Sequence, residues 1–188
     1  QSLPENDGHQ KRTSSGAAMS EPAENGREKM GNRRSAARLA AVQALYEMDL
    51  ADAGADAVLE EFFQKRWCQD PDESGEDADS DNSSGNMVVP DNKWLRELVH
   101  GVASQREELD GLIGPAVGGE WTVKRLEALL RVILRAGAFE LKSKPNVPAN
   151  VVISEYLDVA HAFFGDNETS LVNGVLDHLA RELRAGEF

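Results

Sequence analysis

Aromatic residues make up only 6% of this 188-residue chain, and cysteine occurs once, at Cys68. A lone thiol excludes an intrachain disulfide framework and fits a reducing compartment. No stretch approaches the roughly 20 apolar residues of a membrane-spanning helix, and the first residues carry no apolar signal-peptide core. A cytoplasmic protein with no membrane partner is expected. The pattern of a metal centre is lacking too: none of His100, His161 and His178 has a Cys, Asp or Glu at ligand spacing, and His9 lies in a polar tail. The glycine-rich GPAVGGE lacks the lysine and Ser/Thr of a phosphate loop. Cys68 has no fixed partner that would activate a thiolate. These absences leave no catalytic residue, metal or cofactor to propose. The chain reads as a binding protein rather than an enzyme.

What is present is charge, unevenly placed. The net charge of −13 argues at first sight against a polyanionic partner. Eight acids and no base lie between Asp70 and Asp91, however, and setting that stretch aside reduces the net charge to −5. The opposite holds from Gly31 to Tyr46, where Arg33, Arg34 and Arg38 occur without any acid. A small basic site survives beside a segregated acidic one.

Residues 1–31 are rich in Ser, Gly, Pro, Glu and Asn without apolar periodicity and are expected to be disordered, with Met19 and Met30 each able to serve as a natural start. A helical domain is expected over 32–186, interrupted by a disordered acidic insertion at about 69–90. Its first helix carries Ala37, Ala40, Ala41, Ala44, Leu45 and Met48 on one stripe, so a neighbouring helix must approach closely, and Gly54 should end it. A second helix runs from Ala55 to about Trp67. Asp91 then caps a third, whose stripe continues from Leu95 through Leu109 and Ile113 until Gly114-Pro115 closes it. From Thr122 a short helical turn leads into a central helix with little polar face. Pro148 opens the next helix, with Val152, Ile153, Tyr156, Ala160, Phe163 and Phe164 as its stripe. The loop GDNET and a last helix through Leu183 follow. No strand alternation is present. The fold class is all-α.

Arginines near a helix N-terminus oppose the helix dipole by about 0.3–1 kcal/mol each. Arg34 and Arg38 are four residues apart and share a face. Two readings stand on these residues: solubilising charges paired elsewhere in the fold, or a guanidinium cluster for phosphate.

Three segments together resemble the bacterial transcription antitermination family NusB: RRSAARLAAVQALYEMDL, then LRELVHGVASQREELDGLI with LLRVILRAGAFEL, then VPANVVISEYLDVAHAFF with LVNGVLDHLA. They cover about Arg33 to Arg184 in the family's order. The resemblance implies a compact bundle of about six to seven helices. It implies pairing with NusE, a small-subunit ribosomal protein, and binding of boxA-type single-stranded RNA within the RNA polymerase antitermination complex of ribosomal RNA operons. Carried over by position, the RNA-contacting residues would be Arg33, Arg34, Arg38, Gln43, Tyr46, Phe164, Asp166 and Asn173. The partner-binding residues would be Glu127, Arg131, Arg135 and Glu155.

Bland readings stand beside these. Tyr46 and Phe164 also fit a core, Asn173 also fits a cap before the last helix, and Glu155 with Arg135 also fits an ordinary surface pair. The sequence departs from the family where Leu171 replaces the phenylalanine before Val-Asn-Gly, where Ser35 interrupts the arginine run, and at Asn150, a position often basic in relatives. These departures imply weaker RNA affinity alone and motivate a second reading, a protein-only adaptor with vestigial RNA contact. The module also occurs fused to ribosomal RNA methyltransferases, but no βαβ cofactor-binding pattern is present here.

Overall fold

The computed structural model describes residues 22–67, 88–118 and 123–188, with side chains from Gly31 onward and, in the second helix, up to Lys65. Of the acidic insertion expected at about 69–90, residues 69–87 lie outside the described residues, as do residues 1–21 and Cys68. Seven α-helices and no strand occur among the described residues: α1 Pro22–Ala51, α2 Ala55–Trp67, α3 Asn92–Ser104, α4 Arg106–Val117, α5 Ala128–Ser143, α6 Ala149–His161 and α7 Asp166–Leu183.

The alanine stripe behaves as its period requires. Ala37, Ala40, Ala41, Ala44, Leu45 and Met48 are all buried, and α1 packs on α2, α3, α5 and α6. The helix begins at Pro22, upstream of the boundary placed at residue 31. Pro suits a first helical turn, and Ala23, Glu24, Arg27, Glu28 and Lys29 are good helix formers, so local propensity extends α1 without an apolar face. The chain leaves α1 through Asp52, at φ 50°, rather than through Gly54. Aspartate tolerates the left-handed region better than most residues.

α5 lies at the centre, packed against α1, α3, α4, α6 and α7. Every residue from Val132 to Leu141 is buried. The expected single helix from Asp91 onward is instead two helices, broken at Gln105 (φ −115°, ψ 19°). α3 packs chiefly on α1 and α4 on α7 and α5, so the bend sends one continuous apolar stripe to two different neighbours. Pro115 lies inside α4, which runs on to Val117. Asp91 does cap α3, accepting the amides of Lys93 and Trp94 at 3.1 Å each.

Two further differences bear on the site. GDNET is not a loop: α7 begins at Asp166, and Asp166 and Glu168 occupy the first turn, where the helix dipole favours acids. α6 stops at His161, so Phe163 falls outside its stripe and is 45% exposed.

Candidate nucleic-acid interface

The three arginines of α1 separate by burial. Arg33 is exposed, and its Nε donates to the carbonyl of Val89 at 3.2 Å, while the amide of Asp91 donates to the Arg33 carbonyl at 3.0 Å. The start of α3 is thereby stitched to α1. Arg34 is half-buried, its guanidinium carbon 4.4 Å from the centre of the Trp94 ring. Neither Arg33 nor Arg34 has a carboxylate partner among the described residues.

Arg38 is a correction to the expected RNA-binding set. It is 3% exposed and turned into the core, where its Nε donates to both oxygens of Glu140 at 3.0 and 3.1 Å. Its Nη1 meets Glu155 at 3.1 Å, and its Nη2 also bonds Glu140. Glu140 is fully buried and further accepts from the Tyr156 hydroxyl at 3.1 Å; Ser35 donates to Glu155 at 2.9 Å. Burial alone would disfavour the charge on Arg38, but the hydrogen bond and charge of Glu140 more than offset it and raise the pKa. Burial, reinforced by the Glu140 charge, pushes the Tyr156 phenol well up. A guanidinium saturated by two of the protein's own carboxylates has nothing left for a phosphate.

Around Arg34 the structure assembles residues the sequence reading missed. Trp94 is buried and forms the floor of a shallow cleft of about 260 Å³ between the Arg34 turn of α1, the first turn of α3 and the α5–α6 turn. Lys144 places its Nζ 4.9 Å from the same ring centre while bonding Glu97, and Lys93 lies 4.0 Å from Glu97. Asn146 completes the wall. No local pattern reveals this group, because Arg34, Trp94 and Lys144 are far apart in the chain. The signal available was only that tryptophan is rare here and that lysine ends the central helix.

The other expected RNA residues lie elsewhere. Gln43 is nine residues past Arg34, half a turn around the helix and about 14 Å further along it. Tyr46 is half-buried another turn on. Phe164 is half-buried against the core, so the bland reading holds for much of its ring, and the neighbouring Phe163 is the exposed phenylalanine. Asp166 and Asn173 are exposed and share a shallow cleft with His161 and Ser170. Asn173 sits mid-helix in α7 and caps nothing.

This second group is at the opposite end of the bundle. The end of α1 meets the start of α5 through Asp49 and Arg131 (3.8 Å), whereas Arg38, midway along α1, meets Glu140 near the end of α5. The start of α7 lies beside the start of α5, where Asn167 and Leu171 share a cleft with Leu126 and Leu130. From Leu130 to Lys144 the helix rises about 21 Å.

Of the expected partner-binding residues, Glu127 is exposed just before α5. Arg131 is partly exposed and donates to the Leu126 carbonyl at 3.4 Å. Arg135 is another correction: it is 6% exposed, forked onto both oxygens of Asp110 at 2.7 Å and 3.3 Å from Asp49. Glu155 is occupied by Arg38 and Ser35, so it and Arg135 do not form a surface pair with each other. Both fasten helices together.

The geometry defines an all-helical scaffold with a cluster of cations around Trp94, and no group of three or more potential metal-ligating side chains occurs among the described residues. No helix among them is long and apolar enough to cross a membrane.

The chain belongs to the NusB family, which matches residues 35–181. It is 45% identical over 161 residues to the transcription antitermination protein NusB of Nitrobacter hamburgensis, covering 86% of this chain and 94% of that one. It is likewise 45% identical to the NusB of Bradyrhizobium diazoefficiens, covering 86% and 91%. Among solved structures it resembles T. maritima NusB, with TM-score 0.62 and 25% identity over 82% of this chain and 96% of that one. It also shares its fold with antitermination factors NusB and NusE in complex with dsRNA, at TM-score 0.59 and 22% identity over 79% and 96%. Family membership places the chain among transcription antitermination proteins rather than enzymes.

Proposed function

We propose that this protein is a cytoplasmic antitermination factor that holds boxA-type single-stranded RNA together with a NusE-type ribosomal protein, supporting RNA polymerase on ribosomal RNA operons. The observation that carries the RNA part is the pairing state of Arg33 and Arg34. They are adjacent guanidinium groups without a carboxylate partner among the described residues, on a molecule of net charge −13 whose buried arginines are each paired with an acid. The shared fold with a NusB–NusE–RNA assembly supports the partner. Phosphates sit at the arginine end. Phe163, Asp166 and Asn173, exposed around the α6–α7 turn and the first half of α7, take bases further along the same strand. Gln43 and Tyr46 flank the strand, and Glu127 with the exposed part of Arg131 faces the protein partner.

One observation favours the adaptor reading: the burial of Arg38 removes a cation from the expected cluster. Binding of a boxA-like RNA and a scrambled control, each with and without the NusE-type protein, separates the two. Tighter binding of the boxA-like strand by the pair is expected. Equal binding of both strands sinks sequence-specific recognition, and no binding of either leaves the adaptor.

A further inference from the structure

We propose that the Trp94-floored cleft is a phosphate subsite for single-stranded RNA, in which Arg34 and Lys144 grip one phosphodiester and the indole holds the two cations in place. The inference rests on the RNA reading above and adds residues outside the α1 arginine run. Both cations lie over one ring, at 4.4 and 4.9 Å from its centre, so they are within about 9 Å of each other. Like charges held so close repel; cation–π attraction to the indole holds Arg34, and the indole together with the Glu97 carboxylate holds Lys144. Lys93 adds a third positive charge. Against these stand two acids: Glu97, shared between Lys144 and Lys93, and Asp91, whose Oδ1 is engaged by the first amides of α3. The lining of the cleft is therefore net positive by one charge.

The unspent bonding capacity points the same way. Arg34 Nε and Trp94 Nε1 are buried donors without a partner among the described residues. Among the described residues the guanidinium is held by its stacking contact rather than by side-chain hydrogen bonds, which leaves its terminal amino groups for a ligand. Trp94 is only 6% exposed, so it cannot stack a base; its role is to orient cations. A cleft of about 260 Å³ accommodates a phosphodiester and part of its sugar, not a folded RNA helix. Phosphate contacts of this kind fix register and carry no sequence information.

The test uses the full chain, a labelled 12-nucleotide boxA-like RNA and its scrambled counterpart, with affinities measured from 50 to 200 mM salt. Each single-strand phosphate contact contributes about −0.7 to the salt slope, and the shared phosphodiester is held only by both cations together, so Lys144→Gln should make the loss of affinity over that range about 2.6-fold smaller, equally for both RNAs. Lys144→Arg should keep the parent slope. Lys142→Gln, outside the cleft and paired with Glu108 at 2.6 Å, should also keep it. Parent-like slopes for Lys144→Gln would overturn the subsite while the RNA reading survives. Failure of the parent to bind either RNA would overturn both. A loss confined to the boxA-like strand would make the cleft a base reader and refute the phosphate assignment. Displacement of RNA by millimolar inorganic phosphate at matched ionic strength would reassign it to free phosphate.

Discussion

Replacing Arg38 by alanine separates a structural guanidinium from an RNA-binding one. The substitution leaves Glu140 fully buried with only the Tyr156 hydroxyl as a partner, and removes the bridge from α1 to α5 and α6. Breaking a buried pair by deleting one partner costs about 3–5 kcal/mol, because the stranded charge loses its compensation without regaining water. For a domain of this size each kcal/mol shifts the melting temperature by about 2–4 °C, so a fall of about 6–20 °C is expected. Arg38→Met combined with Glu140→Gln should recover much of that loss, since no buried charge is then left unpaired at their contact. Thermal denaturation followed by circular dichroism reads the stability. RNA affinity measured well below the melting transition should stay within about threefold of the parent, less than the tenfold that 1.4 kcal/mol represents. An Arg38→Ala protein that melts with the parent but binds RNA tenfold more weakly would refute the reasoning.

Gly101→Ala would place a Cβ 2.0 Å from Cζ and 2.3 Å from Cε2 of Phe139, so the α3–α5 contact must open; a loss of about 1–3 kcal/mol is expected in urea denaturation, and parent-like stability would contradict it. The raised pKa of Tyr156 makes its ionisation cost more in the folded than in the unfolded chain. Its stabilising contribution is therefore intact below about pH 10 and is lost as pH rises from there through the raised folded value. Tyr156→Phe should lower stability at neutral pH by about 1.5–3 kcal/mol, the worth of a hydrogen bond to a charged group, and flatten the alkaline decline. An unchanged alkaline slope in that variant would contradict the coupling.

The scaffold was largely readable because its signals are periodic. Six residues at helical spacing placed the buried face of α1, and a run with almost no polar residue placed α5 at the centre. The break at Gln105 was not readable, since Val102 and Leu109 are seven residues apart and stay in phase. Only the competing pulls of α1 and α7 bend the chain there. The start of α7 was hidden by its own capping chemistry: acids that favour a helix N-terminus look like loop residues when seen without the helix.

The site was half readable. Arg33 and Arg34 are where the arginine run put them, and the structure leaves them without a carboxylate partner among the described residues. Arg38, by contrast, stands three and seven residues before Ala41 and Leu45, on the buried stripe itself. A second sign was Glu140 within an apolar run, a lone charge that requires a buried partner. The cation cluster over Trp94 had no sequence signature, because tertiary packing alone joins α1, α3 and the end of α5.

The salt dependence of RNA affinity for the parent and for Arg33→Gln/Arg34→Gln tests the central claim most directly. With about three single-strand phosphate contacts the parent slope should be near −2, a loss of roughly 16-fold between 50 and 200 mM salt. Removing both arginines should reduce the slope to about −0.7 and the loss to about 2.6-fold. Equal slopes for the two proteins would contradict the claim that RNA is held at Arg33 and Arg34.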